Sequence, residues 1–345
     1  MKVIHIPDTI EINDDIRSLT SVVCHSLSDV PDIIDTWNEG KVVDIEGYYE
    51  NAKINRVYVD RVHVKKAFAE YTAAYNADDP KIKLKIDHTY RVAALCERIA
   101  KAAGMCAYDV ELAWLSGMLH DVGRFEQIKR YNTFSDADSV DHAKFGADLL
   151  FKDGLISTFL NGMVKCTGYE PGALEERYSS DGVFLYDRLN KSDMEMLELA
   201  IRCHNMYRIP QGLNRHEQAF CNVLRDADKV DIFKVNIDTP LEEIYNTTTE
   251  ELMKSDITDE VLEAFDEEHC ILKAIRRTPA DTVIGHVSLA YELVYDESVR
   301  ITVEQGYLAK LMHFHSDNEE TNRKMAMVRE KMDSYVKKRI GKKDV

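Results

Sequence analysis

The sequence of 345 residues contains no C-x-x-C motif, and its seven cysteines are an odd number. Both facts argue against a disulfide framework and indicate a reduced protein with mostly structural thiols. No apolar run approaches the ~20 residues that a membrane-spanning helix needs. The first residues, MKVIHIPDTIEINDD, lack the basic region and the long apolar core of a signal peptide. We therefore expect a cytoplasmic protein.

Positive charge is scarce relative to negative charge. There are 44 Lys and Arg against 61 Asp and Glu, which gives a formal net charge of −17. This balance argues against nucleic-acid duplexes and membranes as partners. It leaves a small phosphorylated substrate open, because a bound divalent metal inverts the sign of the charge locally. The sequence leaves a homo-oligomer open as well, and it contains neither a P-loop nor a G-x-G-x-x-G motif.

Helical periodicity begins at about residue 61, where prolines and glycines are few and apolar residues recur at helical spacing. Before that point, β-branched and aromatic residues alternate with turn formers, which favours short strands. We predict a mainly α protein in three parts. These are a small mixed α/β N-terminal appendage at 1–60, a helical core at 61–240 and a C-terminal helical extension at 241–345 that packs on the core.

Several segments of the core predict individual helices. HTYRVAALCERIAKAAG carries an apolar stripe and has Gly104 as its predicted stop. Further predicted helices are YDVELAWLSGMLHD, DHAKFGADLLF with Asp141 as cap, KSDMEMLELAIRCHNMYRIP with Ser192 or Asp193 as cap, and NRHEQAFCNVLRDADKVDIFKV. The polar stretch VGRFEQIKRYNTFSDADSVD predicts a loop, and residues 124–141 and 166–191 are the candidates for a lid or a specificity element.

Residues with metal-ligand chemistry lie on, or at the ends of, these apolar helices. They are His88, His120, Asp121, His142, His204 and Asp228. Neighbours within a helix point about 100° apart, but at a helix end the side chains of His120 and Asp121 can converge, and Gly123 gives the backbone freedom to turn. An unpaired buried carboxylate such as Asp228 is costly. One metal cluster inside a helical bundle would satisfy all six residues together.

The order of these residues resembles the H…HD…D signature of the HD superfamily of metal-dependent phosphohydrolases. The LHDVGR segment is similar to the HDIGK/R box of that superfamily, and RDADKVD is similar to its closing AD motif. His142 and His204 occupy places where the two-metal branches carry extra histidines. The resemblance covers roughly residues 80–235 and implies an HD-domain helical bundle.

The resemblance also implies the chemistry of the site. One divalent ion would be held by His88, His120, Asp121 and Asp228, and Asp121 would bridge to a second ion held by His142 and His204. The metals considered are Mn, Fe and Mg. A metal-activated hydroxide would cleave a phosphomonoester or phosphodiester of a nucleotide-type substrate.

Other side chains are candidates for supporting roles. Asp121 and Arg124 are the predicted catalytic residues, and Arg124 could grip a phosphate in a bidentate manner. Lys144 and Lys229 are the other predicted substrate-binding residues. In the loop before His142, Asp138, Ser139 and Asp141 are candidates for orienting the ligands.

Two further interpretations belong to other classes of protein. The same four-His, two-Asp set is similar to that of di-iron oxygenases on the HD fold, which would consume oxygen with their substrate. A non-enzymatic nucleotide-binding sensor would bind its ligand without turnover. The chain is not assigned to the cyclic-di-nucleotide branch, which has two adjacent histidines where this chain has Cys203 and His204.

Overall fold

The computed structural model describes residues 59–160, 189, 191–245 and 247–341, together with four two-residue strands. The described chain is mainly α-helical, which confirms the predicted fold class. Strand β1 (Ile4–His5) pairs in parallel with β2 (Val22–Val23), and β3 (Arg177–Tyr178) pairs antiparallel with β4 (Phe184–Leu185). The rest of the predicted N-terminal appendage up to residue 58, and most of the 166–191 segment, lie outside the described residues.

Helices of varied length, joined by turns and irregular connections, make up the rest of the described chain. The first eight are α1 Arg61–Thr72, α2 Pro80–Ala102, α3 Ala107–Leu119, α4 Val122–Tyr131, α5 His142–Ala147, α6 Ile156–Leu160, α7 Lys191–Cys203 and α8 Arg215–Asp238. The C-terminal helices are α9 Leu241–Tyr245, α10 Thr249–Lys254, α11 Asp259–Asp266, α12 Pro279–Val287, α13 Asp296–Gln305, α14 Tyr307–Met312 and α15 Glu319–Ile340. None of the described helices is long and apolar enough to cross a lipid bilayer.

The helix ends follow from local sequence signals. Asp79 caps α2 by accepting a hydrogen bond from the backbone of Lys81 at 2.8 Å. Gly104, with φ +74°, follows the end of α2 and confirms the predicted stop. Asp141 caps α5, as predicted. The prediction of Ser192 or Asp193 as the cap of α7 is wrong, because the helix already begins at Lys191.

The predicted loop at 122–141 begins with a helix, so this prediction is wrong for its first half. Helix α4 follows Asp121 directly and ends at Tyr131, where Asn132 adopts a left-handed conformation with φ 52°. The helix is mostly polar and buries Val122, Phe125 and Ile128 along one narrow face. The irregular connection is therefore confined to residues 132–141.

Two hydrophobic clusters share helix α8. The first cluster contains buried residues of α2, α3, α7 and the first half of α8, including Leu224. The second contains Phe233 from the later part of α8 together with buried residues of α10, α11, α12, α14 and α15, whereas Val299 and Ile301 of α13 belong to the first cluster. The domain boundary predicted at 240 stays a prediction, because α8 contributes to the packing on both sides of it.

Polar contacts from α8 reinforce this connection. The fully buried carboxylate of Asp226 accepts hydrogen bonds from the backbone N–H groups of Val294 (2.9 Å) and Tyr295 (2.9 Å). It also accepts one from the hydroxyl of Ser298 at 2.7 Å. These donors lie at the start of α13, so Asp226 fixes the C-terminal helices to the core.

Two glycines allow close helix contacts around His120 and Asp121. A Cβ atom on Gly117 of α3 would lie 2.6 Å from the Cα of Ala93 on α2. A Cβ on Gly123 of α4 would lie 2.5 Å from the carbonyl oxygen of His142 on α5. Both positions need glycine because backbone of the neighbouring helix occupies the space. The helices that carry the predicted ligands are thereby brought into direct contact.

Candidate metal centre

The structure brings all six predicted ligands into one buried cluster. His88 lies on α2, His120 and Asp121 lie between α3 and α4, His142 begins α5, His204 follows α7, and Asp228 lies on α8. The side chain of Asp121 is 2% exposed and that of Asp228 is 21% exposed. The four histidines are buried.

The first half of the cluster contains His88, His120 and Asp228. The Nε2 atoms of His88 and His120 are 3.3 Å apart. Asp228 Oδ1 lies 3.2 Å from His88 Nε2 and 4.0 Å from His120 Nε2. These three ligand atoms are close enough together to bind one ion.

The second half contains His142 and His204, whose Nε2 atoms are 3.1 Å apart. Asp121 lies between the two halves. Its Oδ1 is 3.6 Å from His142 Nε2 and 3.8 Å from His204 Nε2. Its Oδ2 is 3.5 Å from the Nε2 atoms of both His88 and His120. One carboxylate therefore faces both histidine pairs.

Every histidine of the cluster is oriented by an acceptor at its other ring nitrogen. The Nδ1 contacts are His88 to Asp231 Oδ2 (2.6 Å), His120 to Gly117 O (2.8 Å), His142 to Asp136 Oδ2 (2.7 Å) and His204 to Ile201 O (2.7 Å). A backbone carbonyl only accepts, and an ionised carboxylate only accepts, so Nδ1 carries the proton in each ring. All four Nε2 lone pairs of the neutral rings are left facing the cluster, as metal ligation requires.

The electrostatics of the second half favour neutral imidazoles. Burial lowers the pKa of His204 to about 3, and the charges of His142 and His120 act in the same direction. Burial and the charge of Arg124 also lower the pKa of His142. Both rings are therefore unprotonated at neutral pH and offer their lone pairs without first losing a proton.

Both carboxylates stay ionised, although Asp121 is buried and Asp228 is largely buried. Burial alone would raise the pKa of Asp121, but the charges of Lys85 and His120 outweigh it and hold the pKa well below the usual range. Burial of Asp228 is likewise outweighed by its hydrogen bond with His88, so its pKa is lowered. Burial lowers the pKa of His88, but hydrogen bonds with Asp228 and Asp231 raise it above its ordinary value overall. Because metal ligation needs the neutral form of His88, metal affinity should fall as the pH is lowered.

The donor set fits a divalent metal. Four imidazole nitrogens and two carboxylates converge, and Oδ1 of Asp121 is buried without a hydrogen-bond partner among the described residues. Such an atom is costly unless a cation or a donor satisfies it. Nitrogen and carboxylate oxygen ligands suit manganese, iron and zinc.

The other predicted site residues have different surroundings. Arg124 lies next to the cluster, with its Nε 3.7 Å from Asp121 Oδ1. Lys144 is 56% exposed and pairs with Asp141 at 2.9 Å. Lys229 makes no ion pair or hydrogen bond with the six ligands in the described part of the chain. Burial and the charge of Arg225 lower the pKa of Lys229 to about 8. The substrate-binding roles of these residues stay predictions.

Three residues of the site were missed by the sequence analysis. Lys85 donates to Asp121 Oδ2 at 2.7 Å and is 12% exposed. Asp231 orients His88 and also binds Arg91 through two hydrogen bonds of 2.6 and 2.9 Å. Asp136 orients His142. Helical spacing could have indicated the first two, since Lys85 precedes His88 by three positions and Asp231 follows Asp228 by three.

Comparison with protein families agrees with this geometry. The HD-domain family model matches residues 86–231, a range that includes all six clustered ligands. The chain contains an HD domain. HD domains are generally metal-dependent hydrolase domains that bind divalent metals. None of the curated proteins and none of the solved structures compared with the chain matches it.

Proposed function

We propose that this HD protein is a phosphohydrolase that uses two divalent metal ions to cleave a phosphomonoester or phosphodiester of a nucleotide-type substrate. The observation that supports the proposal is the position of Asp121, which faces one histidine pair with each carboxylate oxygen. Two ions bound there would polarise a phosphoryl oxygen and lower the pKa of a bound water molecule. The nucleotide part of the proposal rests on the family resemblance.

The histidines and carboxylates of the protein would hold the ions in fixed positions. His88, His120 and Asp228 form one group of ligands, and His142 and His204 form the other. Hydrogen bonds at all four Nδ1 atoms limit rotation of the rings. This preorganisation means that little reorganisation of the site is needed during the reaction.

Lys85 is the side chain that we propose to contact the substrate phosphate. Its ammonium group is nearly buried and its ion pair is with Asp121. When cations occupy the cluster, Asp121 neutralises less of the charge of Lys85, and a phosphate oxygen becomes the natural partner of the ammonium group. Arg124 adds a second cation, with a buried Nε that has no hydrogen-bond partner among the described residues.

Arg124 is held by several protein contacts. Its Nη1 donates to Gln127 Oε1 at 2.7 Å, to the carbonyl of Phe134 at 2.7 Å and to Asp136 Oδ1 at 3.0 Å. This nitrogen is therefore already satisfied. Any contact of Arg124 with substrate would use its remaining nitrogens, so we assign Lys85 the larger share of phosphate binding.

An untargeted turnover assay tests the function. Mn²⁺-loaded protein is incubated with a pool of phosphorylated metabolites and nucleotides, and the products are identified by mass spectrometry. His120→Ala should abolish turnover, whereas His313→Ala, which alters an exposed histidine, should leave it unchanged. No loss of any phosphorylated compound with fully metallated protein would contradict the proposal. Oxygen uptake by iron-loaded protein would instead favour the oxygenase interpretation.

Lys85→Met separates phosphate binding from metal binding. The variant keeps most of the apolar stem and loses a charge-assisted contact worth about 1.5–3 kcal/mol, so kcat/KM should fall roughly 10- to 100-fold. Its metal content should match that of the wild-type protein. A loss of metal together with activity would show that Lys85 supports the cluster and does not bind substrate.

A further inference from the structure

The two histidine pairs are held by different parts of the fold. In each pair, one ring is oriented by a carboxylate and the other by a backbone carbonyl. For the first pair the carboxylate is Asp231, which lies on α8, is 1% exposed and binds Arg91. For the second pair it is Asp136, which lies in the 132–141 connection and is 30% exposed. A buried helical anchor is more rigid than one on a partly exposed loop.

Asp136 forms hydrogen bonds with residues around the second histidine pair. Its Oδ2 accepts from His142 Nδ1 at 2.7 Å and from Asn205 Nδ2 at 3.3 Å. Asn205 directly follows His204 in the chain. The carboxylate of Asp136 therefore contacts His142 itself and Asn205, the residue that follows His204 in the sequence.

The opposite oxygen of Asp136 is also fully used. Its Oδ1 accepts from Arg124 Nη1 at 3.0 Å and from Gln127 Nε2 at 3.0 Å. Both donors lie on α4, which begins immediately after Asp121. Because four donors from three parts of the chain meet at this carboxylate, its position determines how α4, α5 and the turn after α7 lie relative to one another.

We propose that Asp136 is a positioning residue for the second metal ion, and that this ion is bound more weakly than the first because its histidines are held through a loop. The inference rests on the proposed two-ion function. It assigns the site a tightly bound ion at His88, His120 and Asp228 and an exchangeable ion at His142 and His204. Turnover then depends on the free concentration of metal that fills the second position.

Asp136→Asn is the direct test. The amide oxygen can still accept from His142 and Asn205, but the NH2 group then faces the donors Arg124 and Gln127, so the contact with α4 is lost. Replacing a carboxylate that orients a metal-binding histidine typically costs 10- to 100-fold in metal affinity. We expect that loss for the weaker ion only.

Metal binding is measured by calorimetric titration of Mn²⁺ into metal-free full-length protein. The wild-type protein should show two classes of site, and Asp136→Asn should weaken only the weaker class. Asp153→Asn is the matched control, because Asp153 is an exposed aspartate within the matched HD-domain range and lies outside the groups of metal-binding residues. Asp231→Asn should weaken the tight class instead.

Each outcome has a separate meaning. If Asp136→Asn bound Mn²⁺ at both classes of site with wild-type affinity, or lost affinity equally at both, the positioning role would be overturned. The proposed function would remain in place. One class or none in the wild-type protein would overturn the two-ion site itself. Circular dichroism verifies folding of each variant. If Asp136→Asn does not fold, Asn205→Ala removes the 3.3 Å contact with Asp136 together with a 2.9 Å contact with Asp141, and it should weaken the same class to a smaller degree.

Discussion

Replacing Gly123 with alanine would place a methyl group where α4 crosses α5. The new Cβ would lie 2.5 Å from the carbonyl oxygen of His142, 2.7 Å from the nitrogen of Gly146 and 2.9 Å from its Cα. All three atoms are backbone, so no side-chain rotation can relieve the contact. Helix α5 would have to move, and it carries His142 at its first position.

The expected cost follows from comparison with Gly146→Ala in the facing helix. A Cβ at Gly146 would lie 3.1 Å from the nitrogen of Gly123 and 3.4 Å from its Cα, which requires only a small adjustment. Overpacking costs about 1–3 kcal/mol, and each change gains up to about 1 kcal/mol in helix propensity. This gain in helix propensity is the same for both variants, so it does not affect the difference in stability between them. We expect Gly123→Ala to be less stable than Gly146→Ala by about 2 kcal/mol.

Urea unfolding of the metal-free proteins, followed by circular dichroism, measures this difference. Mn²⁺ titration of the same variants should show weaker binding of the second ion in Gly123→Ala, because the backbone of His142 is displaced. The reasoning would be refuted if Gly123→Ala were as stable as the wild-type protein, or if Gly146→Ala lost as much free energy of unfolding.

Three further predictions concern stability. Asp226→Ala leaves three donors, on Val294, Tyr295 and Ser298, without their acceptor and should cost about 3 kcal/mol in urea unfolding. Asp238→Ala, at the exposed end of the same helix, should cost under about 1 kcal/mol. Burial lowers the pKa of His286 to about 3, from an ordinary value of 6.5. The unfolded state therefore binds this proton at a higher pH than the folded state, so the free energy of unfolding falls as the pH drops below 6.5. In His286→Phe, the free energy of unfolding lost between pH 6.5 and 5 should be smaller by about 2 kcal/mol. If the free energy of unfolding depended on pH equally in the wild-type protein and in His286→Phe, this assignment would be contradicted. Removing metal with a chelator should lower the melting temperature of the wild-type protein, since an ion at 100 times its Kd adds about 2.7 kcal/mol; a chelator effect of the same size in His120→Ala would show that the ion binds elsewhere.

The metal ligands could be predicted from sequence because their chemistry conflicts with their surroundings. His88 and Asp228 lie on apolar helical stripes, where an unpaired polar group is costly, so a shared partner was the economical interpretation. Their orienting residues could not be identified with the same ease. Asp231 lies one turn from Asp228, but sequence alone does not distinguish it from a solvated aspartate on the exposed side of α8.

Helix α4 and the role of Asp136 are features that local sequence patterns do not predict. The polar composition of 122–131 favours a loop, whereas in the structure Val122, Phe125 and Ile128 pack against the core and stabilise a helix. Asp136 lies in an irregular connection without periodicity. Its role depends on contacts with residues as distant in sequence as Asn205, which no local pattern reveals.

The distribution of the ligands along the chain has a consequence for biosynthesis. His88 leaves the ribosome first among the six and Asp228 last, on the helix that also carries Asp231. At about 5–20 residues per second, roughly 7 to 30 seconds separate the two. A nascent chain that ends before α8 already contains His88 and His120 but still lacks Asp228, the carboxylate that completes the first group of ligands. The first group of ligands is therefore complete only after α8 has been synthesised.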